Sequence, residues 1–170
     1  MAIRPIRIVP DPVLRLKAKR VKNIDKSVKK LISDMTETLH EAHGAGLAAP
    51  QIGISLRVIA LCVPDKETTL ECAIINPEIV RRKGERMVNE GCLSIPGYVG
   101  EIKRSEQVRI KGIDPDGKEI KMRAEGLLAQ ALEHEIDHLN GVLYVDHLES
   151  QDKLRAVEPE PPEEETSEPE

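Results

Sequence analysis

The sequence predicts an α+β domain, with mostly antiparallel strands between an N-terminal helix and a C-terminal helix. Two observations lead to this class. Apolar residues recur at helical spacing in residues 24–44 and again from about residue 125 to residue 141. Short β-branched runs separated by turn residues fill the stretch between them. Strands grouped in this way favour an α+β domain over a doubly wound parallel sheet.

The first helix has a regular apolar face and clear end signals. Asp25 can cap its start, and Gly44 can end it. His40 and His43 lie near its end, where we interpret them as charges favoured by the helix C-terminus or as part of a solvated face. The residues of the apolar face are Val28, Leu31, Ile32, Met35, Leu39 and Ala42.

The strand-like region extends from Arg57 to about Ala124. Its four clearest runs are RVIALCV, CAIINPEIV, QVRIKGI and KEIKMRA, and the DPDG sequence at residues 114–117 predicts a tight turn between the last two. A second helix is predicted from about Glu125 to Gly141. A final polar helix is predicted from roughly His147 to Val157.

Length and composition predict one folded domain followed by a tail. A chain of 170 residues suits a single domain, and its core must be aliphatic because it has no Trp, no Phe and two Tyr. The chain has neither an apolar run long enough for a bilayer nor a secretory signal, so we predict a cytoplasmic protein with no membrane partner.

The last residues of the chain differ from the rest in charge. Residues 158–170 contain seven glutamates and no basic residue, and without them the net charge changes from −5 to +2. We predict a folded domain at residues 1–157 and a disordered acidic, Pro- and Glu-rich tail at residues 158–170.

Three cysteines are an odd number without paired spacing, so they predict free thiols or metal ligands. Cys62 and Cys72 lie in apolar runs and are interpreted as small hydrophobic residues. Cys92 lies in the polar, glycine-flanked stretch NEGCLSIPG and is a candidate ligand.

The sequence HEIDH in the second helix is the main chemical signal. His134 and His138 are one turn apart, so both imidazoles can bind one ion, and Glu135 can act beside it as a general base. Leu127 and Ala131 place both histidines in an apolar, inward-facing row. The alternative is a pair of core histidines, which this spacing and the glutamate disfavour.

A catalytic metal site needs a third protein ligand and an open position. The candidates are Cys92, Asp146, His147 and the carboxylates after them. Cys92 is favoured because a thiolate binds strongly and its glycine-flanked loop can approach a metal. A longer zinc-protease pattern would place a histidine where Tyr144 stands, which argues against that class.

A third stretch, GAGLAAPQIG at residues 44–53, combines glycines and small residues with the amide of Gln51. It allows a close backbone approach, although by itself it is typical of a helix end followed by a tight loop.

The three stretches GAGLAAPQ, EGCLS and HEIDHLNG, in this order and at these separations, resemble the signature motifs of the peptide deformylase family. The resemblance extends from IVPDPVLR to HEIDHLNGVLYVD. It implies mostly antiparallel strands around a central metal-binding helix, and hydrolysis of the formyl group from N-formylmethionyl polypeptides with release of formate.

The resemblance also implies roles for individual residues. The metal ligands correspond to Cys92, His134 and His138, and the acid/base residue to Glu135. Gln51 and the backbone N–H of Leu93 correspond to the donors that polarise the formyl oxygen. The backbone of Gly46 corresponds to a substrate-binding group, and we expect an apolar slot for methionine lined by Val88, Leu127 and Ala131.

For the metal, the resemblance implies Fe²⁺, with Zn²⁺, Ni²⁺ or Co²⁺ as substitutes. The expected partners are nascent formyl-methionyl polypeptides at the ribosome, without sequence-specific nucleic-acid binding. Two positions depart from the family pattern. Glu133 stands where glutamine is frequent, and the stretch GYVGEIKR has Tyr98 and Val99 in a region where some members carry a substrate-binding arginine, with Arg104 coming later.

Two other functions fit part of this evidence. A general HExxH metallopeptidase would not use Cys92 as a ligand. A non-catalytic domain braced by a metal would need a fourth protein ligand, and none is evident in the sequence.

Overall fold

Two antiparallel sheets and two helices form the chain in the computed structural model, which describes residues 2–158. This arrangement confirms the predicted α+β class. The elements are α1 (Lys26–Ala42), β1 (Gly46–Ala48), β2 (Val58–Asp65), β3 (Thr68–Lys83), β4 (Arg86–Cys92), β5 (Ile95–Arg104), β6 (Gln107–Ile113), β7 (Glu119–Glu125), α2 (Gly126–Leu139) and β8 (Leu154–Ala156), with short 3₁₀ turns at Pro12–Arg15, Ala49–Ile52, Tyr144–His147 and Gln151–Lys153.

Helix α1 forms where its apolar stripe predicts it. The Asp25 carboxylate accepts a hydrogen bond from the Val28 backbone at 3.0 Å and caps the first turn. The predicted end at Gly44 is one residue late, because His43 takes the left-handed conformation (φ 52°) that ends the helix. Gly44 is needed for space, since a Cβ there would lie 3.0 Å from the side chains of both Leu39 and Leu93.

The five-stranded sheet has the order β1-β2-β3-β6-β7. Helix α1 packs on one face, and α2 packs on the other. The DPDG turn joins β6 to β7 as predicted, and the Gly117 backbone donates to the Asp114 carbonyl at 3.0 Å. The four strand-like runs of the sequence lie in β2, β3, β6 and β7, whereas β1, β4, β5 and β8 were not predicted as separate strands.

The second sheet has the order β4-β5-β8, and its buried residues belong to a separate core cluster that includes Leu14, Leu143 and Tyr144. The prediction of a polar helix at residues 147–157 is wrong. Instead, 3₁₀ turns lead into β8, which pairs with Tyr98, Val99 and Gly100 of β5. The edge of β5 offers unpaired backbone groups, while a wholly polar helix would have had no apolar face to bury.

The core is aliphatic, as the composition predicts. Its largest fully buried side chains are leucine, isoleucine and methionine, with Tyr144 the one aromatic side chain among them. The predicted tail lies outside the described residues, apart from Glu158. Within residues 2–158, no helix has both the length and the apolar character needed to cross a bilayer.

Three arginines form an exposed row across one part of the first sheet. Arg81 is opposite Arg109, and Arg109 is opposite Arg123, on the neighbouring strands β3, β6 and β7. Paired residues project from the same face, and all three side chains are exposed. Like charges placed directly opposite one another destabilise a sheet, so this row has a free-energy cost.

Gly141 ends α2 and contacts the turn that precedes α1. Its φ is +72°, and a Cβ would lie 2.5 Å from the carbonyl oxygen of Arg15. The close approach therefore depends on the absence of a side chain at this position.

We expect Gly141→Ala to destabilise the protein by about 1–3 kcal/mol more than Gly97→Ala, as measured by urea unfolding. Gly97 is the matched control because it also has a positive φ, +84°, but nothing lies within 4 Å of its added Cβ. Both variants carry the backbone strain, and only Gly141→Ala carries the clash. Equal losses in the two variants would contradict the contact described for Gly141.

Candidate metal centre and catalytic cleft

Helix α2 brings two imidazoles to one point. His134 and His138 are one turn apart, and their Nε2 atoms lie 3.2 Å from each other. His138 is fully buried, whereas His134 keeps partial access to the cleft. The other members of the predicted inward row differ in exposure, because Ala131 is buried and Leu127 is half-exposed at the rim.

Cys92 completes a group of three donor atoms. Its Sγ lies 3.3 Å from His138 Nε2, and the ligand atoms of Cys92, His134 and His138 all lie within 4.8 Å of one another. Cys92 is the last residue of strand β4 and pairs with Ile95, so the expected loop is in fact a strand end. The sheet register therefore fixes where the thiol lies relative to the helix.

The other predicted third-ligand candidates are engaged elsewhere. Asp146 binds the guanidinium of Arg15 and accepts a hydrogen bond from the Leu143 backbone at 3.0 Å. His147 lies 2.8 Å from Asp137. Neither belongs to the cluster of possible ligands that contains Cys92.

The three donors fit one divalent cation. Bond lengths of about 2.1 Å to nitrogen and 2.3 Å to sulfur in a tetrahedral site imply donor separations of about 3.4–3.6 Å. The separations of 3.2 and 3.3 Å are close to these values. The nearby carboxylates of Glu90 and Glu135 also create a negative potential that stabilises a cation.

Glu90 orients His134. The His134 Nδ1 donates to Glu90 at 2.7 Å, which leaves Nε2 directed at the metal centre. Arg104 binds both oxygens of Glu90, at 3.0 and 2.6 Å, and also binds Asp137 at 2.7 Å. These residues come from β4, β5 and α2, so one buried network connects the second sheet to the helix.

The charges of this network shift the pKa values of the residues in and beside it. Burial alone would raise the pKa of Glu90, but hydrogen bonds from His134 and Arg104 lower it to about 2. Burial opposes protonation of His134, yet Cys92, Glu135 and Glu90 together raise its pKa. Burial and the neighbouring His134 lower the pKa of His138.

Glu135 lies beside the donors in a dry position. It is 3% exposed, and burial raises its pKa to about 7. Its Oε1 is 4.0 Å from His134 Nε2, and its Oε2 has no hydrogen-bond partner within the described chain. Such an oxygen is costly to bury unless water or substrate reaches it, which fits a group that takes part in a reaction.

Gly46 sets the position of Glu135. A Cβ at Gly46 would lie 2.6 Å from Glu135 Oε1 and 2.8 Å from its Cγ. Strand β1 can therefore run directly against the carboxylate only because Gly46 has no side chain.

An open cleft of about 330 Å³ leads to the three donors. Gly46, Gln51, Leu93, Leu127 and Ala131 line it, together with Cys92, His134 and Glu135. Val88, also predicted for the substrate slot, is not among the lining residues. It is 8% exposed and packs in the core cluster of Leu14, Ile95, Ile102, Leu143 and Tyr144.

Both polar atoms of the Gln51 side-chain amide form hydrogen bonds. Its Oε1 accepts from the Ala48 backbone at 2.9 Å, and its Nε2 donates to Ser94 at 3.1 Å. The same Nε2 lies 3.7 Å from Cys92 Sγ. The amide N–H group is thus fixed at the edge of the metal centre.

The two departures from the family pattern lie away from the donors. Glu133 accepts from the Ser105 backbone at 2.7 Å and pairs with Arg82 at 3.2 Å, which balances its charge. Arg104 is 4% exposed and fully engaged by carboxylates, so it does not face substrate. Tyr98 is half-exposed on β5, opposite Ala156.

The roles of Glu90, Arg104 and Asp137 in this network were not predicted from the sequence. One signal for Glu90 exists, since Glu90 and Cys92 are two residues apart on a strand and therefore share a face. The network of Arg104 with Asp137 had no comparable signal, because it depends on how β5 crosses the helix.

The fold and the site define a class: a metal-dependent hydrolase built on an HExxH helix, with a cysteine thiol close to the two histidines. Comparison with known proteins is consistent with this. The family model of polypeptide deformylase matches residues 3–154. A peptide deformylase of Dehalococcoides mccartyi is 56% identical over 161 residues, covering 94% of this chain and 95% of that protein.

Solved structures agree in fold. A peptide deformylase from Legionella pneumophila has a TM-score of 0.84 and 47% identity over 89% of each chain. A peptide deformylase from Ehrlichia chaffeensis in complex with actinonin has a TM-score of 0.85 and 38% identity, covering 90% of this chain and 92% of that one. The chain belongs to the polypeptide deformylase family. It is a metal-dependent enzyme that removes the N-formyl group from newly synthesised polypeptides.

We expect Glu90→Gln to weaken binding of Zn²⁺ or Co²⁺ by about 10–100-fold, because His134 loses the charged partner that orients it. Competition with a chromophoric chelator measures the affinity without any assay of activity. Glu101→Gln is the control, since Glu101 forms a surface ion pair with Lys153 at 3.6 Å. Equal metal affinity in wild type and Glu90→Gln would show that the hydrogen bond to His134 does not matter.

We expect Glu135→Gln to stabilise the metal-free protein by about 3 kcal/mol above pH 7. The Glu135 carboxyl has a pKa of about 7 when folded, against the ordinary value of 4.5, so its ionisation favours the unfolded chain. The gain begins as pH rises past 4.5, is complete above 7, and is absent below 4.5.

Urea unfolding at pH 4, 6 and 8 measures this pH dependence. Glu119→Gln, at an exposed position on β7, is the control and should show no such trend. A gain in Glu135→Gln that is constant across pH would argue against a raised pKa for Glu135.

Proposed function

We propose that Cys92, His134 and His138 hold one catalytic cation and that Glu135 moves the proton in deformylation. One observation carries the proposal: a thiol, two imidazoles and a buried carboxyl oxygen without a partner converge at the end of one cleft. The cleft leaves room for water and substrate, as a catalytic site requires.

We propose Fe²⁺ as the native ion, with Zn²⁺, Ni²⁺ or Co²⁺ as substitutes. Imidazole and thiolate ligands suit all of these ions, and the family resemblance favours iron. When bound, the ion supplies a Lewis acid that makes water acidic enough to lose a proton near neutral pH. The three ligands need to be in their metal-binding forms, and the hydrogen bond to Glu90 holds His134 in the required tautomer.

Glu135 acts as the general base and then as the general acid. A carboxyl whose pKa is close to neutral can take a proton from water and return it to the departing amine. Its contact with Gly46 limits where the carboxylate can lie. The proton thus passes over a short path at one end of the cleft.

Gln51 and the backbone N–H of Leu93 stabilise the charge that develops on the formyl oxygen. The Gln51 amide is already fixed by Ala48 and Ser94, so it needs little reorganisation during the reaction. Leu93 follows Cys92 directly and lines the same cleft. Loss of one such donor typically costs about 10²–10³ in rate.

The substrate is an N-formylmethionyl peptide, and the products are formate and the free amine. We propose that the backbone of Gly46 holds the peptide and that Leu127 and Ala131 contact the methionine side chain. The slot proposed here leaves out Val88, which packs in the core. The catalytic domain then comprises residues 1–157, with the acidic tail as an appendage.

Within the cell, we propose that the enzyme works in the cytoplasm on nascent chains near the ribosome. The net charge of +2 outside the acidic tail is compatible with approach to an anionic particle. No sequence-specific contact to nucleic acid is part of this proposal.

The test is release of formate from formyl-Met-Ala-Ser by protein purified anaerobically with Fe²⁺. We expect activity in the wild type and a loss of about 10²–10⁴-fold in Glu135→Ala with the metal content unchanged, because only the proton transfer is removed. Glu119→Ala, an exposed residue on β7, should match the wild type. The proposal is falsified if the metal-loaded wild type is inactive or Glu135→Ala is fully active.

A further inference from the structure

A second group of possible metal ligands lies apart from Cys92, His134 and His138. It consists of His40, Cys62 and Glu71, whose ligand atoms all lie within 4.8 Å of one another. His40 Nε2 is 2.6 Å from Glu71 Oε1. His40 therefore has a specific carboxylate partner, which its interpretation as a charge at the helix C-terminus or as part of a solvated face did not include.

Three separate elements bring this group together. Cys62 on β2 and Glu71 on β3 are directly opposite in the sheet, so their side chains project from one face. Helix α1 packs on that face, and its last turn carries His40. The arrangement follows from tertiary packing and has no counterpart as a sequence motif.

The group has room for a ligand. A cleft lined by Leu39, His43, Ala45 and Pro64, together with His40 and Cys62, opens beside it. The side chains of His40 and Glu71 are 50% and 46% exposed, so both can adjust their rotamers. Cys62 is partly buried and held in place by its strand.

We propose that His40, Cys62 and Glu71 form a second divalent-cation site, distinct from the catalytic one and suited to Zn²⁺. Imidazole, thiolate and carboxylate are the three protein ligand types that zinc uses, and water from the cleft completes four-coordination. A cation here neutralises the Glu71 carboxylate and the Cys62 thiolate while His40 is neutral. It ties the end of α1 to the β2–β3 hairpin.

The site adjoins the catalytic cleft through a shared segment. Gly44 and Ala45 line both clefts, and the Cys62 backbone donates to the Ala45 carbonyl at 2.8 Å. The second cation takes no part in the chemistry of the formyl group, because none of His40, Cys62 and Glu71 lines the catalytic cleft. Its expected effect is to hold α1 and this segment together.

Cobalt binding tests the proposal directly. Cys92→Ser removes the thiolate of the catalytic centre, so any remaining thiolate-to-Co²⁺ charge-transfer absorption in the near ultraviolet must come from another cysteine. We expect this absorption to persist in Cys92→Ser and to disappear in Cys92→Ser with Cys62→Ser. The double variant Cys92→Ser with Cys72→Ser is the control, because Cys72 packs against the other core cluster.

The other two ligands separate a built site from binding by a lone thiol. In the Cys92→Ser background, His40→Ala and Glu71→Gln should each weaken the Co²⁺ binding that the thiolate-to-Co²⁺ absorption reports, by about tenfold or more. His43→Ala, a neighbouring histidine outside the ligand group, should leave it unchanged. Both substitutions change half-exposed side chains and keep the core intact, so this comparison within the Cys92→Ser background does not depend on the folding of the Cys62→Ser variant.

Stoichiometry gives an independent measure. Wild type should bind two Zn²⁺ per chain and Cys62→Ser one, while Cys62→Ser releases formate at the wild-type rate. The second site would be overturned if the wild type bound one Zn²⁺ per chain. It would also be overturned if the absorption survived in Cys92→Ser with Cys62→Ser, or if His40→Ala left the Co²⁺ affinity of Cys92→Ser unchanged. None of these outcomes bears on the catalytic roles of Cys92, His134 and His138.

Discussion

The buried contact of Arg104 with Glu90 and Asp137 holds together the side chains of the proposed catalytic centre. Arg104 comes from β5, Glu90 from β4 and Asp137 from α2, so their ion pairs connect the second sheet to the helix. Cys92 lies two residues after Glu90 and meets the histidines only while that sheet stays in place. Because the charges are buried, removal of one partner would leave the others uncompensated, at a cost of about 3–5 kcal/mol.

The proposed acid/base residue, Glu135, depends on a different constraint, which is steric. Glu135 lies on α2, and Gly46 of β1 approaches it so closely that no side chain fits between them. Burial of the Glu135 carboxyl raises its pKa to about 7. A glycine in one strand thus limits the position of a buried carboxyl in a helix, without a hydrogen bond between them.

Much of this structure can be predicted from the sequence, and the exceptions have physical causes. The helices and four of the strands follow from local periodicity, and HEIDH places two histidines and a glutamate on one helix. Strand β8 was missed because it depends on pairing with the distant β5. Arg104 was missed because a charged residue is usually exposed, and only tertiary packing shows that it is buried with partners. Val88 was placed in the substrate slot, yet the side chain turns to the core with Ile102 and Tyr144.

The row of Arg81, Arg109 and Arg123 has a consequence for how the protein responds to its solvent. Neighbouring strands are about 4.8 Å apart, well within the Debye length of about 10 Å at 0.1 M salt, so the three guanidinium groups repel one another in dilute buffer. Dissolved ions screen this repulsion between the exposed arginines, whereas the buried ion pairs of Arg104 are little affected. Salt therefore lowers the free-energy cost of the arginine row and leaves the buried ion pairs nearly unchanged, so the ionic strength of the solvent sets part of the stability of this sheet.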